Sequence, residues 1–202
     1  FESELIWQGT YGYYPVALSP NGEHLLITEA VGEDADNLFL LDLRRNRLTG
    51  LSLPLSRADH GTGGFAWLSD SSGFYFATNK DREFAALMRY DLKSMRFNVE
   101  AEYGLDVSGV LLCGPADRYL VWKVNHDGFD RLYVRDRVKK KELAMPDLEE
   151  GVYELSCTRQ SNQLIITING WRTPGDIEIV NLDTQTKPVS YTHLRAHETR
   201  IH

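Results

Sequence analysis

Short apolar segments alternate with polar turns along the whole chain. The first unit has apolar segments at 15–18 and 25–28, which flank the turn Ser19-Pro20-Asn21-Gly22. A further apolar segment at 38–43 follows an acidic loop, and the short segment Arg47-Leu48-Thr49 comes after it. Asn-Gly between two apolar runs is a strong hairpin signal. No segment shows a sustained period near 3.6, so the pattern predicts β-strands and little helix.

The same order of strands returns three more times. The third strands of the four units end at equivalent polar anchors, namely Asp42, Asp91, Asp136 and Asn181. Four strands in a repeat of about 40 to 50 residues are typical of propeller blades, whereas a sandwich does not repeat one internal order. We therefore predict an all-β fold, a partial β-propeller over residues 1–188. Its four four-stranded blades are expected at about 11–55, 60–102, 105–148 and 150–187.

Both ends of the chain affect this interpretation. Propeller rings of this kind have seven or eight blades, so we expect four blades to be an incomplete ring, cut at both ends. The run from Val189 to Thr199 resembles the in-frame translation of a sequencing adapter, and residues 189–202 are expected to be a non-native tail. His193 and His197 are therefore not considered as metal ligands, although their spacing fits one helix face.

Charge and hydropathy exclude several function classes. The 202 residues are 42% hydrophobic and carry a formal net charge of −7. The basic run Lys139-Lys140-Lys141 is interpreted as a solvated turn, and an acidic chain is poorly suited to holding a nucleic-acid backbone. No apolar run approaches the roughly 20 residues of a membrane span. The chain begins at Phe1, so targeting cannot be read; a cytoplasmic location is favoured, and the oligomeric state stays open.

The two cysteines occupy equivalent places in the repeat. Cys113 and Cys157 stand where the first two units have Leu18 and Leu68, which indicates an inward-facing core position. Equivalent positions of neighbouring blades are expected to lie beyond the roughly 7 Å that a disulfide spans. The sequence therefore predicts two buried, unpaired thiols that behave as small hydrophobic side chains.

Few residues suggest catalysis or metal binding. Asp59-His60 lies in a predicted connection, where adjacent side chains usually point apart and no nucleophile is at hand, so a solvated linker is the preferred interpretation. Two acidic groups could be compared with calcium loops, but neither supplies the ligand set that such loops need. These groups are Glu33, Asp34 and Asp36, and Asp127 and Asp130. We interpret both as polar loops.

One hairpin resembles a known family. Residues 122–134, Trp-Lys-Val-Asn-His-Asp-Gly-Phe-Asp-Arg-Leu-Tyr-Val, are similar to the V-N-x-D-G-x-x-x-L-Y hairpin of the prolyl oligopeptidase family, especially its dipeptidyl and acylaminoacyl peptidase branch. Segments 18–22, 90–92 and 142–148 are also similar, and the resemblance covers about residues 5–187. It implies a propeller that acts as a lid over a separate α/β-hydrolase domain. That domain would supply a Ser on a G-x-S-x-G elbow, then Asp and His.

No catalytic residue can be carried over to this chain. G-x-S-x-G is absent, and the nearest sequence, Gly50-Leu51-Ser52-Leu53-Pro54, has Pro in place of the second Gly. Glu149-Glu150 invites comparison with the glutamate pair of dipeptidyl peptidases, but it lies in a link between units and the role is not transferred. We predict no catalytic, cofactor-binding or metal-binding residues in this chain.

Three tryptophans recur within the repeats. Trp67 and Trp122 are expected to pack between blades, because aromatic side chains contribute large buried areas. Trp171 lies in a predicted loop, where it could face a partner or the hydrolase domain.

These observations lead to one functional hypothesis and two alternatives. The chain is predicted to be the non-catalytic propeller portion of a serine peptidase, gating peptide access to a hydrolase domain that this chain lacks. The first alternative is a non-enzymatic propeller that binds other proteins. A propeller hydrolase with a metal in its central channel is disfavoured, because no His/Asp/Glu set recurs at equivalent inward positions.

Overall fold

The computed structural model describes residues 3–9, 11–33, 35–52, 64–172 and 174–191, with side chains up to residue 187. These residues form sixteen strands in four antiparallel sheets, and each sheet keeps the order of the chain. The first sheet contains β1 (Tyr13–Leu18), β2 (His24–Ala30), β3 (Asp36–Asp42) and β4 (Arg47–Gly50), and the second contains β5 (Ala66–Trp67), β6 (Gly73–Thr78), β7 (Ala86–Asp91) and β8 (Arg96–Ala101).

The third and fourth sheets repeat this plan. The third contains β9 (Val107–Cys113), β10 (Tyr119–His126), β11 (Phe129–Asp136) and β12 (Lys141–Glu142), and the fourth contains β13 (Val152–Cys157), β14 (Gln163–Asn169), β15 (Pro174–Asn181) and β16 (Thr186–Tyr191). A single 3-10 turn, Pro115–Asp117, is the only helical element of the described residues. The predicted all-β fold of four four-stranded units is confirmed. In the part of the chain that the structure describes, no helix has the length and apolar character that crossing a membrane requires.

The polar anchors of the repeat hold the turn after each third strand. A side-chain oxygen of every anchor accepts hydrogen bonds from backbone N–H groups two or three residues later, the geometry by which Asx side chains stabilise turns. The bonds run from Arg45 to Asp42 (2.9 Å), from Ser94 to Asp91 (2.8 Å), from Val138 and Lys139 to Asp136 (3.0 and 2.9 Å), and from Asp183 and Thr184 to Asn181 (2.9 and 3.2 Å). These bonds explain why Asp or Asn recurs there.

Each of these turns ends in a residue with a left-handed backbone. The residue four positions after every anchor has a positive φ, and none of the four is glycine. They are Asn46 (48°), Met95 (54°), Lys140 (53°) and Gln185 (59°). Such a conformation costs L-residues about 1–2 kcal/mol, so the fold holds four mildly strained positions in equivalent places.

The connections between strands divide between two ends of the sheets. The first-to-second and third-to-fourth turns lie at one end, which we call the turn face. The second-to-third connections and the linkers between sheets lie at the other end, the loop face. All four sheets are oriented alike, because turn-face groups bond from one sheet to the next: Asn21 N donates to Ser71 Oγ (3.1 Å), Ser69 N to Asp117 Oδ2 (2.5 Å), and Gly114 N to Thr158 O (3.0 Å).

The core lies between adjacent sheets. Three buried clusters separate the first from the second, the second from the third, and the third from the fourth sheet. Trp67 packs with Leu26 and Leu38 of the first sheet, and its Nε1 donates to Ala17 O at 3.4 Å. Trp122 lies in the next cluster, among side chains of the second and third sheets. The predicted packing of both tryptophans between the units is confirmed.

The prediction of two unpaired thiols is wrong. Cys113 and Cys157 form a disulfide, with Cα atoms 5.7 Å apart. They end β9 and β13, the first strands of neighbouring sheets, which contact each other at the turn face, where Gly114 N bonds Thr158 O. The spacing between equivalent positions is therefore much shorter at the first strands than the prediction assumed.

The predicted burial at this repeat position is confirmed for Cys113 and Leu68 only. Cys157 is partly exposed, and Leu18 is 56% exposed. Leu18 belongs to the first sheet, which packs against another sheet on only one side within the described residues. Its environment therefore differs from that of its equivalents.

Candidate functional site

Two adjoining cavities lie between the third and fourth sheets, towards the loop face. Their volumes are about 690 and 560 Å³. The first lies between the β10–β11 hairpin and the linker from β12 to β13, and the second lies between that linker and the β14–β15 loop. They share Asp147, Leu148 and Glu150 of the linker, so we treat them as one site, the linker groove.

Two side chains fix the backbone of the linker. Tyr153 is buried, and its hydroxyl donates to the carbonyl of Glu149 at 2.8 Å. Lys187 Nζ donates to the carbonyl of Asp147 at 2.7 Å and pairs with the buried Glu178 at 3.2 Å. Burial, together with neighbouring carboxylates, raises the pKa of Tyr153 to about 12, so its hydroxyl keeps its proton as a donor. The linker is thus held by its carbonyls, while Asp147, Glu149 and Glu150 are exposed.

A buried ion pair lies next to the groove. Lys123 Nζ is 2.7 Å from Asp130 Oδ2, and the side chains are 15% and 4% exposed. The same lysine donates to Tyr153 O at 2.6 Å, and Tyr153 N donates to Asp130 Oδ2 at 2.8 Å. Two side chains of the third sheet therefore bond both backbone groups of one residue in the fourth. The pair anchors the first strand of the fourth sheet beside the groove.

The two aspartates of this hairpin have separate roles. Asp127 and Gly128 form the two-residue turn between β10 and β11, with φ of 53° and 90°, as a type I′ turn requires. Asp127 is exposed at the tip, whereas Asp130 is buried in its ion pair. The structure therefore does not bring these carboxylates together around one ion.

Trp171 forms an exposed wall of the groove. It lies in the β14–β15 loop with 75% of its surface exposed, and the guanidinium carbon of Arg172 is 4.3 Å from its ring centroid. The predicted loop position is therefore confirmed. An exposed aromatic ring beside exposed carboxylates provides both apolar and polar contacts for an extended chain. Whether Trp171 faces a partner stays a prediction.

The groove offers binding groups rather than a reaction centre. Its lining includes His126, but no Ser, Thr or Cys is among the described residues that line it. Nucleophilic hydrolysis needs a nucleophile within reach of its base. Nowhere in the described ranges do three or more His, Cys, Asp or Glu side chains gather as a metal site would require. The four exposed carboxylates, of Asp127, Asp147, Glu149 and Glu150, can bind cationic or N–H-bearing groups, although the cationic side chains of Arg131, Arg172 and Lys187 also line the groove.

The remaining candidates lie away from the groove or beyond the described residues. Asp59, His60, Asp34, His193 and His197 fall outside the described residues. Glu33 is exposed in a loop and Asp36 begins β3. Lys139 and Lys140 are exposed in a turn of the turn face, and Lys141 begins β12.

One network on the turn face was not predicted from the sequence. Asp117 is 2% exposed, and its carboxylate pairs with Arg159 Nε at 3.0 Å. Arg159 also donates to the carbonyl of Trp67, and Arg137 Nη1 donates to Asp117 O at 2.6 Å. Arg159 therefore joins the fourth sheet to the third and second. Its partners are more than 40 residues away in sequence, so no local pattern indicates them.

Solved structures with the same arrangement of sheets share little sequence identity with the chain. A puromycin-hydrolysing peptidase of Mycobacterium tuberculosis matches with a TM-score of 0.73 and 14% identity over 94% of this chain. Prolyl oligopeptidase B of Galerina marginata matches with a TM-score of 0.72 and 15% identity over 95% of the chain. TolB of Acinetobacter baumannii matches with a TM-score of 0.64 and 11% identity over 90% of the chain. The chain has the β-propeller fold.

The four sheets are accordingly propeller blades, and the resemblance to prolyl oligopeptidase propellers is confirmed at the level of fold. The chain spans only 30%, 29% and 44% of the length of the three structures above. No protein-family model and no curated protein sequence matches it.

Proposed function

We propose that the chain is the non-catalytic propeller portion of a serine peptidase, and that it gates the access of peptides to an α/β-hydrolase domain. The observation that carries this proposal is the match of nearly the whole chain to less than a third of two peptidase structures. The hairpin at 122–134, which resembles the prolyl oligopeptidase family, supports it independently. Fold alone does not imply function, so the proposal needs a direct test.

The linker groove fits a gating role. Its exposed carboxylates and the exposed ring of Trp171 suit contacts with extended peptides, and no reacting group is needed there. In this proposal peptides approach at the loop face, and hydrolysis takes place on the α/β-hydrolase domain.

The first test identifies that domain in the parent gene. If the proposal is correct, sequencing the parent gene is expected to show a coding region with a G-x-S-x-G segment followed by Asp and His. A fluorophosphonate probe should then label that Ser in the intact protein. Further blades followed by a stop codon would end the peptidase proposal.

The second test asks which face the peptide meets. In the intact protein, the double variant Glu149→Gln/Glu150→Gln is expected to raise KM for short cationic peptides severalfold and leave kcat unchanged, because uniform binding is lost. The control Lys139→Gln/Lys140→Gln changes the same number of charges on the turn face and should leave KM unchanged. An equal effect of both variants would show that the loop face has no special part in access.

A protein-binding propeller is the second candidate function. The match to TolB leaves it open, since the same fold occurs in a structure that is not described as a peptidase and fold alone does not imply function. In this case the linker groove would hold a partner segment. Two results together would support this candidate over the first. The parent gene would contain no hydrolase region, and the Trp171→Ala variant would no longer capture a partner.

A further inference from the structure

The two sulfur atoms of the disulfide lie in unequal environments. Cys113 is completely buried in the cluster between the third and fourth blades, among side chains such as Tyr119, Val121 and Leu164. Cys157 packs at the edge of that cluster and remains partly exposed. The Cys157 end of the bond is therefore the more accessible one to a thiol from solution.

The unequal environments of the two sulfur atoms affect how readily the disulfide opens by thiol exchange. A disulfide opens when a thiolate attacks one sulfur and the other leaves as a thiolate, and a leaving group with a low pKa leaves faster. Attack on Cys157 Sγ expels Cys113, which would have to leave as a charged thiolate in completely buried, apolar surroundings. The accessible direction of attack thus has a poor leaving group, which makes the bond slow to open while the blades stay packed.

We infer that Cys113–Cys157 is a one-sided redox latch between the third and fourth blades, which closes by exchange with a disulfide oxidant and opens only through Cys157. On closing, the two thiols and one oxidant disulfide give the protein disulfide and two oxidant thiols. On opening, a thiolate binds Cys157 and Cys113 leaves and takes a proton. A second thiolate then attacks the mixed disulfide, releases the external disulfide and leaves Cys157 reduced.

The latch lies at the turn-face end of two first strands. Once it is open, the Gly114–Thr158 backbone bond and the Arg159–Asp117 ion pair remain as polar contacts there. Disulfides of this kind persist in oxidising environments and are rare in the cytosol. The latch therefore assigns the chain to an oxidising compartment, although the sequence favoured the cytoplasm.

The test maps where a small thiol attaches. The 202-residue chain is oxidised with glutathione disulfide, checked for the loss of two hydrogen atoms by mass, and then treated with reduced glutathione. Samples are quenched with N-ethylmaleimide and digested. We expect glutathione on Cys157 and maleimide on Cys113, about tenfold or more in excess of the reverse pattern. In urea the two patterns should become comparable and reduction should accelerate.

Single variants provide the matched control. Cys113→Ala and Cys157→Ala both lack the crosslink, but the first leaves the accessible thiol and the second leaves the buried one. Glutathione disulfide should react with Cys113→Ala about tenfold faster than with Cys157→Ala. Any of three results would overturn the inference. These results are two free thiols in the native chain after oxidation, glutathione adducts divided equally between the cysteines, and equal reaction rates of the two variants.

Discussion

Lys123 Nζ and Asp130 Oδ2 lie 2.7 Å apart, and both groups also bond the backbone of Tyr153 in the next blade. The two side chains provide hydrogen bonds that a neighbouring strand would otherwise give to the first strand of the fourth blade. The pair therefore joins two blades that have no continuous sheet between them.

Removing one partner of this pair is expected to be costly, because it leaves the other charge buried. We predict that Lys123→Met or Asp130→Asn lowers the free energy of unfolding by about 3–5 kcal/mol. The double variant Lys123→Met/Asp130→Asn should cost clearly less than the sum of the two single variants. Urea unfolding of the four proteins measures this coupling.

An exposed ion pair of similar length is the control. Lys80 and Asp81 are 3.0 Å apart, but the aspartate side chain is 76% exposed. Asp81→Asn is expected to change the free energy of unfolding by less than about 1 kcal/mol. Equal costs for Asp81→Asn and Asp130→Asn would mean that burial does not determine the effect.

The hairpin that contains this pair shows which contacts could be predicted from the sequence and which could not. The Asp127-Gly128 turn fixes the register, which places Asp130 opposite Asn125 and therefore diagonal to Lys123 on the same side of the hairpin. The pairing could have been predicted from that register. Its bonds to Tyr153 could not, because they depend on how one blade packs on the next.

Other features of the fold also differ in whether the sequence could predict them. The anchors of the third strands were visible as a repeat, because each fixes a turn of only four residues and so needs Asp or Asn at a constant place. The disulfide was missed because sequence spacing gives the distance along the chain and not the distance between first strands. The linker groove was missed as a whole, since Asp127, Glu149 and Trp171 belong to separate connections of the loop face.

The hydroxyl of Tyr153 gives a pH-dependent prediction. Burial raises its pKa to about 12, above the ordinary value of about 10, so the folded state favours the protonated form. The resulting stability is fully present below about pH 10 and is lost as the pH rises through the folded pKa. Tyr153→Phe removes the bond to Glu149 O and should cost about 1 kcal/mol at pH 8.

The difference between wild type and Tyr153→Phe should shrink between pH 10 and 12. Urea unfolding at several pH values measures it, with Tyr11→Phe as control, because Tyr11 is 98% exposed and its substitution should be neutral at pH 8. A gap that stays constant up to pH 12 would contradict the assignment of Tyr153 as the titrating group.

The first strand of the first blade exposes several apolar side chains. Tyr14, Val16 and Leu18 are 53%, 41% and 56% exposed. These side chains lie on an edge strand of the first sheet, where unpaired backbone groups and exposed apolar side chains promote association. We predict that the 202-residue chain forms oligomers at micromolar concentration, and that Val16→Lys/Leu18→Lys shifts the population towards monomer in light scattering. Val138→Lys is the control, since Val138 is 75% exposed but lies on a separate turn. A monodisperse, cooperatively melting wild-type monomer would contradict this prediction.

The left-handed residue after each anchor predicts an unusual effect of glycine. Lys140 has a φ of 53°, a conformation that costs most L-residues about 1–2 kcal/mol and glycine little. Lys140→Gly should therefore raise the free energy of unfolding by about 0.5–1 kcal/mol, after the greater freedom of glycine in the unfolded chain is subtracted. Lys139, its neighbour in the same turn, is not among the residues with positive φ. Lys139→Gly should therefore lower the free energy of unfolding by roughly 0.5–1 kcal/mol. Both variants remove one exposed lysine, so a difference between them reports on the backbone conformation and not on the lost charge. Urea unfolding should show changes in the free energy of unfolding of opposite sign. Changes of the same sign would show that the turn is not strained at Lys140.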